Sequence, residues 1–221
     1  DKVLLPGNPE RAEYIAKEFL DDVNLYTEYR DMFGYTGYYE GNRVSVQTTG
    51  MGIPSTSIVL EEMEELGVSE LIRIGTCGAL SNDLELSDLV IAQSASTIGS
   101  TINKLNDDTI FTPVSDFNLT KKIFETTKTY SIPTHVGQVV TSDYFYGLSD
   151  YIIKNLSDYG VLAAEMETAG IFNIASKYGL KAASVLTVSD IYFKDKRADK
   201  DTILKGVDDM TKVVLDTIAK E

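Results

Sequence analysis

Cysteine, histidine, arginine and long apolar runs are all scarce in this 221-residue chain, and each scarcity excludes something. A single cysteine, Cys77, leaves no disulfide framework and no cysteine-based zinc site. A single histidine, His135, leaves no imidazole pair for a metal and no obvious base for a nucleophilic serine. No apolar run reaches the roughly 18 residues of a membrane span, and residues 1–20 already contain Asp, Lys, Glu and Arg. Neither a membrane segment nor a signal peptide is expected, and the expected compartment is the cytoplasm. Basic residues are outnumbered, 20 against 34 acidic ones, for a formal charge of −14. Such a chain repels a polyanion unless its bases are concentrated, and the densest stretch, Lys194 to Lys200, is interrupted by Asp195 and Asp199. Nucleic acid is therefore set aside as a partner.

What is present is ordinary for a globular protein: 43% apolar and 24% charged residues, enough for one sizeable core. Short β-rich runs alternate with segments of helical period. Lys2–Leu5 reads as a strand stopped by Pro6-Gly7-Asn8-Pro9, and Glu10–Leu20 as a helix with Ala12, Ile15, Ala16 and Phe19 on one face. Tyr35–Glu40 and Arg43–Thr48 flank the hairpin turn Gly41-Asn42. Helices are expected over Ser55–Leu66, Asn118–Tyr130, Tyr151–Tyr159, Thr168–Tyr178 and Asp199–Ile218, and strands over Leu71–Ile74, Leu89–Ala92, His135–Val140, Val161–Ala164 and Ala182–Val188. Ser100–Ser115 reads as an irregular excursion. The alternation predicts a single α/β domain over residues 1–221, with a central, mixed but mostly parallel twisted sheet flanked by helices.

In such sheets ligands bind beyond the carboxyl ends of the strands. The Pro6–Arg11 turn puts free amides and Arg11 at a helix start, which suits an anion, or is simply a turn with a solvated arginine. Only five arginines accompany 15 lysines, and a rare arginine often grips a planar oxyanion. Arg73 lies between Ile72 and Ile74, and there it needs a charge partner, because an unpaired buried charge is very costly. It runs into Gly75-Thr76-Cys77-Gly78, read as a loop with free amides and a hydroxyl. Glu165 and Glu167 flank Met166, and their mutual repulsion calls for either a structural cation or a ligand rich in hydroxyl donors. Asp190 follows an apolar strand, as a helix cap or as an acid held at a strand tip.

Taken together, Gly7-Asn-Pro-Glu-Arg11, Gly50-Met-Gly-Ile-Pro-Ser55, Arg73-Ile-Gly-Thr-Cys-Gly78, Glu165-Met-Glu-Thr-Ala-Gly170 and Ser189-Asp190 resemble the nucleoside phosphorylases, in the same order along essentially the whole chain. The resemblance is greatest to the small-subunit, hexameric bacterial-type purine nucleoside phosphorylases. It implies phosphorolysis of purine (deoxy)ribonucleosides to free base and (deoxy)ribose 1-phosphate, with inorganic phosphate as co-substrate and no metal or organic cofactor. By the same resemblance phosphate is held by Gly7, Arg11, Arg73, Ile74, Gly75 and Thr76. Arg30 would complete a neighbouring subunit's site in a homohexamer built as a trimer of dimers. The nucleoside is held by Met51, Phe145, Glu165, Met166, Glu167 and Ser189, and Asp190 is the catalytic acid facing purine N7.

The match has departures. A helper arginine expected in the helix after Asp190 falls on Ile203, leaving Arg197 or Lys200 as substitutes. Thr76 stands where serine is usual, and His135 matches no family histidine and reads as an ordinary strand residue. Cys77 reads as a packed thiol, since no base is placed to activate it. Three other readings share parts of the pattern: a uridine phosphorylase, a nucleosidase using water, and a nucleoside-binding protein with weak catalysis. Asp190 favours purines over the first, and Arg11, Arg30 and Arg73 favour phosphate over the second.

Overall fold

The computed structural model describes residues 2–105, 108–194 and 196–220. Ten strands form one mixed sheet: β1 (Lys2–Leu5), β2 (Asp21–Thr27), β3 (Gly34–Tyr39), β4 (Asn42–Gln47), β5 (Glu70–Ala79), β6 (Leu89–Ile98), β7 (Thr134–Ser142), β8 (Ala163–Glu165), β9 (Lys181–Ile191) and β10 (Lys196–Arg197). Among the described residues six α-helices accompany them: α1 (Pro9–Phe19), α2 (Gly52–Glu65), α3 (Phe117–Tyr130), α4 (Asp150–Asp158), α5 (Thr168–Tyr178) and α6 (Lys200–Ala219).

The strand order is β10-β9-β6-β7-β8-β5-β1-β4-β3-β2, with a further pairing of β9 to β5. Strands β5, β9, β6, β7 and β8 thus close into a ring, and β1, β4, β3 and β2 extend it from β5. Closure satisfies strand edges that an open sheet would leave bare. The sheet is mixed as expected. Pairing is parallel for β4–β1–β5–β9 and β6–β7–β8, and antiparallel in the β2–β3–β4 meander, in β6–β9, β5–β8 and β9–β10.

Apolar side chains cover both faces. One cluster joins Leu60, Met63, Leu71, Ile171, Phe172 and Leu186 beneath α2 and α5. The other joins Ile15, Ile72, Ile74, Ile123, Met210 and Val214 beneath α1, α3 and α6. Strand alternation explains the division, because successive residues of β5 face opposite sides. Four helix starts are capped by side chains: Asn8 accepts from the Arg11 amide, Asp116 from Leu119, Ser149 from Ile152 and Asp199 from Thr202. No helix among the described residues is long and apolar enough to cross a membrane.

The elements depart from the sequence reading in three informative places. Asp21–Thr27 forms a strand that was not expected, since six of its seven residues are exposed and no alternation marks it. Gly75–Gly78 is the second half of β5 rather than a loop, and β9 likewise continues through Asp190 to Ile191. Both extensions carry their residues into the cavity described next.

Candidate active site

A cavity of about 540 Å³ opens where the carboxyl ends of β1, β5, β7, β8 and β9 meet. Sites of open α/β sheets lie at the same ends. Its floor at one end is an arginine pair. Arg11 sits in the first turn of α1, where the positive end of the helix dipole disfavours a cation. Burial, and then the like charge of Arg73, hold its pKa down at about 10. Arg73 is 4% exposed. Its guanidinium folds over Gly75, where a Cβ would lie 2.7 Å from Nη2, so only glycine leaves room for it. Gly7 and Thr76 line the same end, and a Cβ on Gly7 would press on the Gly50 carbonyl at 3.0 Å.

Both glutamates turn onto Arg73. Nε lies 2.9 Å from Glu165 Oε2, and Nη2 lies 2.5 Å from Glu167 Oε2. Burial lowers the pKa of Arg73, and the two carboxylates more than reverse that, so the net direction is upward. The structural cation that the acid pair called for is therefore Arg73 itself. Its Nη1 is buried without a protein partner among the described residues, a donor left for a ligand.

The two acids are not equivalent. Glu165 Oε1 accepts from Thr141 Oγ1 (2.5 Å) and the Thr168 amide (3.1 Å). Its Oε2 accepts from the Glu167 and Thr168 amides, both at 2.9 Å. With Arg73 added, the roughly four lone-pair positions of a carboxylate are occupied by protein. Glu167 takes the Gly52 amide on Oε1 (2.6 Å) and Arg73 on Oε2, which leaves each oxygen a further lone pair. Burial raises the pKa of Glu167, opposed mainly by Arg73. Both line the cavity, with Met166 between them and the exposed Met51 at its mouth.

The opposite end is shaped by a β-bulge. Cys77 pairs with Val188 and Gly78 with Asp190, so Ser189 is the extra residue on β9. A bulge re-aims the side chains that follow it. Here it lets Ser189 Oγ reach Asp190 Oδ2 at 2.7 Å while also lying 3.2 Å from the Cys77 carbonyl. One hydroxyl proton serves one of these at a time, so Ser189 can donate to an ionised Asp190 or accept from a protonated one. Asp190 Oδ1 lies 3.1 Å from Arg197 Nε. Phe145, packed edge-on against Tyr146 at 4.8 Å between ring centroids, and the exposed Tyr144 supply aromatic walls. The Tyr192 ring lies against Gly78, where a Cβ would sit 2.5 Å from it.

The structure thus gathers Gly7, Arg11, Met51, Arg73, Gly75, Thr76, Phe145, Glu165, Met166, Glu167, Ser189 and Asp190 around one cavity. Two residues from the sequence reading lie elsewhere. Ile74 alternates to the face opposite Arg73 and is fully buried in the core with Leu4 and Ile72. Arg30 sits on an exposed 3₁₀ turn, Tyr29–Asp31, in the left-handed region (φ 55°) and stacks 5.3 Å from the centre of the Tyr29 ring. Ser142, Tyr144, Leu148, Tyr192 and Lys196 line the cavity without having been anticipated. Only proximity to Phe145 and Asp190 in the chain pointed to them. Cys77 is buried, its Sγ 3.7 Å from the Thr187 carbonyl, and burial pushes its thiol pKa upward, as an inert packed thiol requires. His135 is on β7, 3.3 Å from Asp88 and outside the cavity.

Comparison with known proteins agrees with this geometry. The profile of the Phosphorylase superfamily matches residues 1–219. The chain is 44% identical to the DeoD-type purine nucleoside phosphorylases of Bacillus cereus, Bacillus thuringiensis and Bacillus mycoides, over 100% of its own length and 94% of theirs.

Proposed function

The chain belongs to the phosphorylase superfamily, and we propose that it cleaves purine (deoxy)ribonucleosides with inorganic phosphate, giving free base and (deoxy)ribose 1-phosphate. The observation that carries this reading is the convergence of Arg11 and Arg73 on one end of a cavity whose other end holds Asp190. Arg11, held down by burial and by the like charge of Arg73, calls for an anion beside it, and phosphate is the anion that the reaction consumes.

The chemistry follows from the order of groups along the cavity. Phosphate sits among Gly7, Arg11, Arg73 and Thr76. Arg30, exposed on its turn, reaches the corresponding site of a neighbouring subunit in a homohexamer. The sugar lies between Met51 and Met166, its hydroxyls donating to Glu167, while Glu165 holds Arg73 and the start of α5. The base rests among Phe145, Tyr192 and Asp190. As the C1′–N9 bond lengthens, its electron pair passes into the purine. The sugar becomes oxocarbenium-like, and a phosphate oxygen closes on C1′ from the opposite face. A proton from Asp190 to N7 makes the base a neutral leaving group, and assistance of this kind is worth ~10²–10⁴ in rate. Holding phosphate and sugar in register supplies more. Phosphate is the sole co-substrate in this scheme.

The test is base release from inosine and adenosine with and without phosphate. Release that requires phosphate supports the reading. Equal release in its absence identifies a nucleosidase, and binding without release identifies a sensor.

A further inference from the structure

We propose that the Tyr192 hydroxyl reads the C6 substituent of the purine, donating to a 6-oxo group or accepting from a 6-amino group. One pocket would then take both classes of nucleoside, an inference that rests on the phosphorolytic reading above. In adenine and in the 6-oxopurines alike, N7 and the C6 substituent share one edge of the base. With Asp190 at N7, the polar group that stands beside Asp190 is the one that meets C6.

Tyr192 stands there because of the way β9 ends. The strand runs through Ile191 and passes directly into the 3₁₀ turn Tyr192–Lys194. There the Tyr192 ring lies over Gly78, the residue that pairs with Asp190 between β5 and β9. A Cβ on Gly78 would lie 2.5 Å from Cε2 and 3.3 Å from Cζ of the ring, so a glycine at this position is what admits it. Tyr192 and Asp190 both line the cavity. Tyr192 remains 40% exposed, and its hydroxyl makes no hydrogen bond with protein among the described residues, which leaves it free for a ligand. Burial, and then the charge of Asp190, push its pKa upward. The phenol therefore keeps its proton and can both donate and accept.

The other side chains at this end cannot take both roles. Lys196 and Arg197 are exposed cations with donors only. The Ser189 hydroxyl is occupied by Asp190 and the Cys77 carbonyl. Phe145 and Ile191 present apolar side chains. Tyr144 carries a second hydroxyl, but its ring lies over Gly99, just past the end of β6, rather than over the strand partner of Asp190.

Tyr192→Phe removes the hydroxyl and keeps the ring on Gly78, so the variant should fold. It should lower kcat/KM for inosine and for adenosine by about three- to tenfold, the span of one uncharged hydrogen bond. Purine riboside has only hydrogen at C6 and offers the hydroxyl nothing to bind, so its kcat/KM should stay within about twofold of the unsubstituted enzyme. The KM for phosphate, bound at the far end of the cavity, should not move with any of the three. Unchanged kcat/KM for inosine or for adenosine in Tyr192→Phe overturns the assignment. Equal losses on all three nucleosides overturn it too, since they would mark a packing role. Either result leaves phosphorolysis intact. Failure of the unsubstituted protein to release base from any of the three with phosphate present brings down the phosphorolytic reading, and this assignment with it.

Discussion

Glu165 and Glu167 differ by two positions in sequence and by almost nothing in burial, yet they should fail in different ways. Replacing Glu165 by Gln keeps its shape but points an NH₂ group at donors whichever way the amide turns. On one side stand the Glu167 and Thr168 amides and Arg73, and on the other Thr141 Oγ1 and the Thr168 amide. Thr141 Oγ1 already accepts from the Ala169 amide at 2.9 Å, which limits its freedom to turn around. One buried donor left without an acceptor costs about 1–3 kcal/mol. Removing one carboxylate from a buried ion pair costs up to about 3–5 kcal/mol. Glu167 still faces Arg73, so we take a value near the lower end, about 3 kcal/mol. For a chain of this size that lowers Tm by about 6–12 °C. Arg73, held on one side only, should bind phosphate less well, while the KM for nucleoside stays put. Glu167→Gln should behave oppositely. Burial already opposes its charge, so a neutral amide relieves desolvation as it weakens the contacts to Arg73 and Gly52, and Tm should move by no more than about 3 °C. Loss of a charge-assisted bond to a sugar hydroxyl, about 1.5–3 kcal/mol, should lower kcat/KM on inosine by roughly 10–100-fold. On 2′,3′-dideoxyinosine, which lacks the 2′ and 3′ hydroxyls, the same change should do little. Thermal unfolding beside steady-state kinetics on the two nucleosides checks both. A normal Tm for Glu165→Gln with a raised nucleoside KM would refute the division of labour.

Three further outcomes follow from the same geometry. Burial, and then Arg73, hold the Arg11 pKa down at about 10, so the unliganded site loses that charge as pH rises through about 10, whereas a bound anion favours the protonated form. Calorimetry with sulfate, which does not titrate there, should show affinity falling above pH 10 and a proton taken up on binding; affinity independent of pH from 9 to 11 would contradict this. Gly75→Ala places a methyl group 2.7 Å from Arg73 Nη2 and should raise the KM for phosphate at least about tenfold, while nucleoside KM changes little. Cys77, with its thiol pKa pushed up by burial, should react with a disulfide reagent only as the chain unfolds, so the labelling rate should track the opening rate under denaturant.

Much of the scaffold could be read from the chain, because hydrophobic period and turn residues mark buried elements strongly. Helix Thr168–Tyr178 has the predicted bounds, but the hairpin turn falls one residue earlier than Gly41-Asn42, on Glu40-Gly41, because Asn42 already pairs with Tyr39 and Glu40 and Gly41 take the positive φ. Strand β2 escaped because an exposed strand needs no alternating apolar residues; its place comes from pairing with β3, a contact with no local signature. The late halves of β5 and β9 escaped for another reason. Glycines and polar residues there read as loop, yet they lie where strands pass from core to cavity and the usual pattern lapses. The arginines were legible as isolated oddities, since a guanidinium inside Ile72–Ile74 has to be answered by something. That Glu165 and Glu167 both answer it was beyond the sequence, as was the closing of the ring that brings β8 beside β5. The assignment of Ile74 to the site stretched a backbone motif onto a side chain that alternation sends to the opposite core. Arg197 stood level with Lys200 in the sequence, and only the antiparallel return of β10 sets it, seven residues after Asp190 in the chain, directly across the strands from that acid.

The most direct measurement is phosphorus NMR of the protein with inosine and inorganic phosphate. Attack on C1′ by the anion held between Arg11 and Arg73 predicts one sugar phosphate ester for every hypoxanthine released, with matching loss of free phosphate. Hypoxanthine appearing while the phosphate resonance stays whole would mean that water, not phosphate, is the nucleophile.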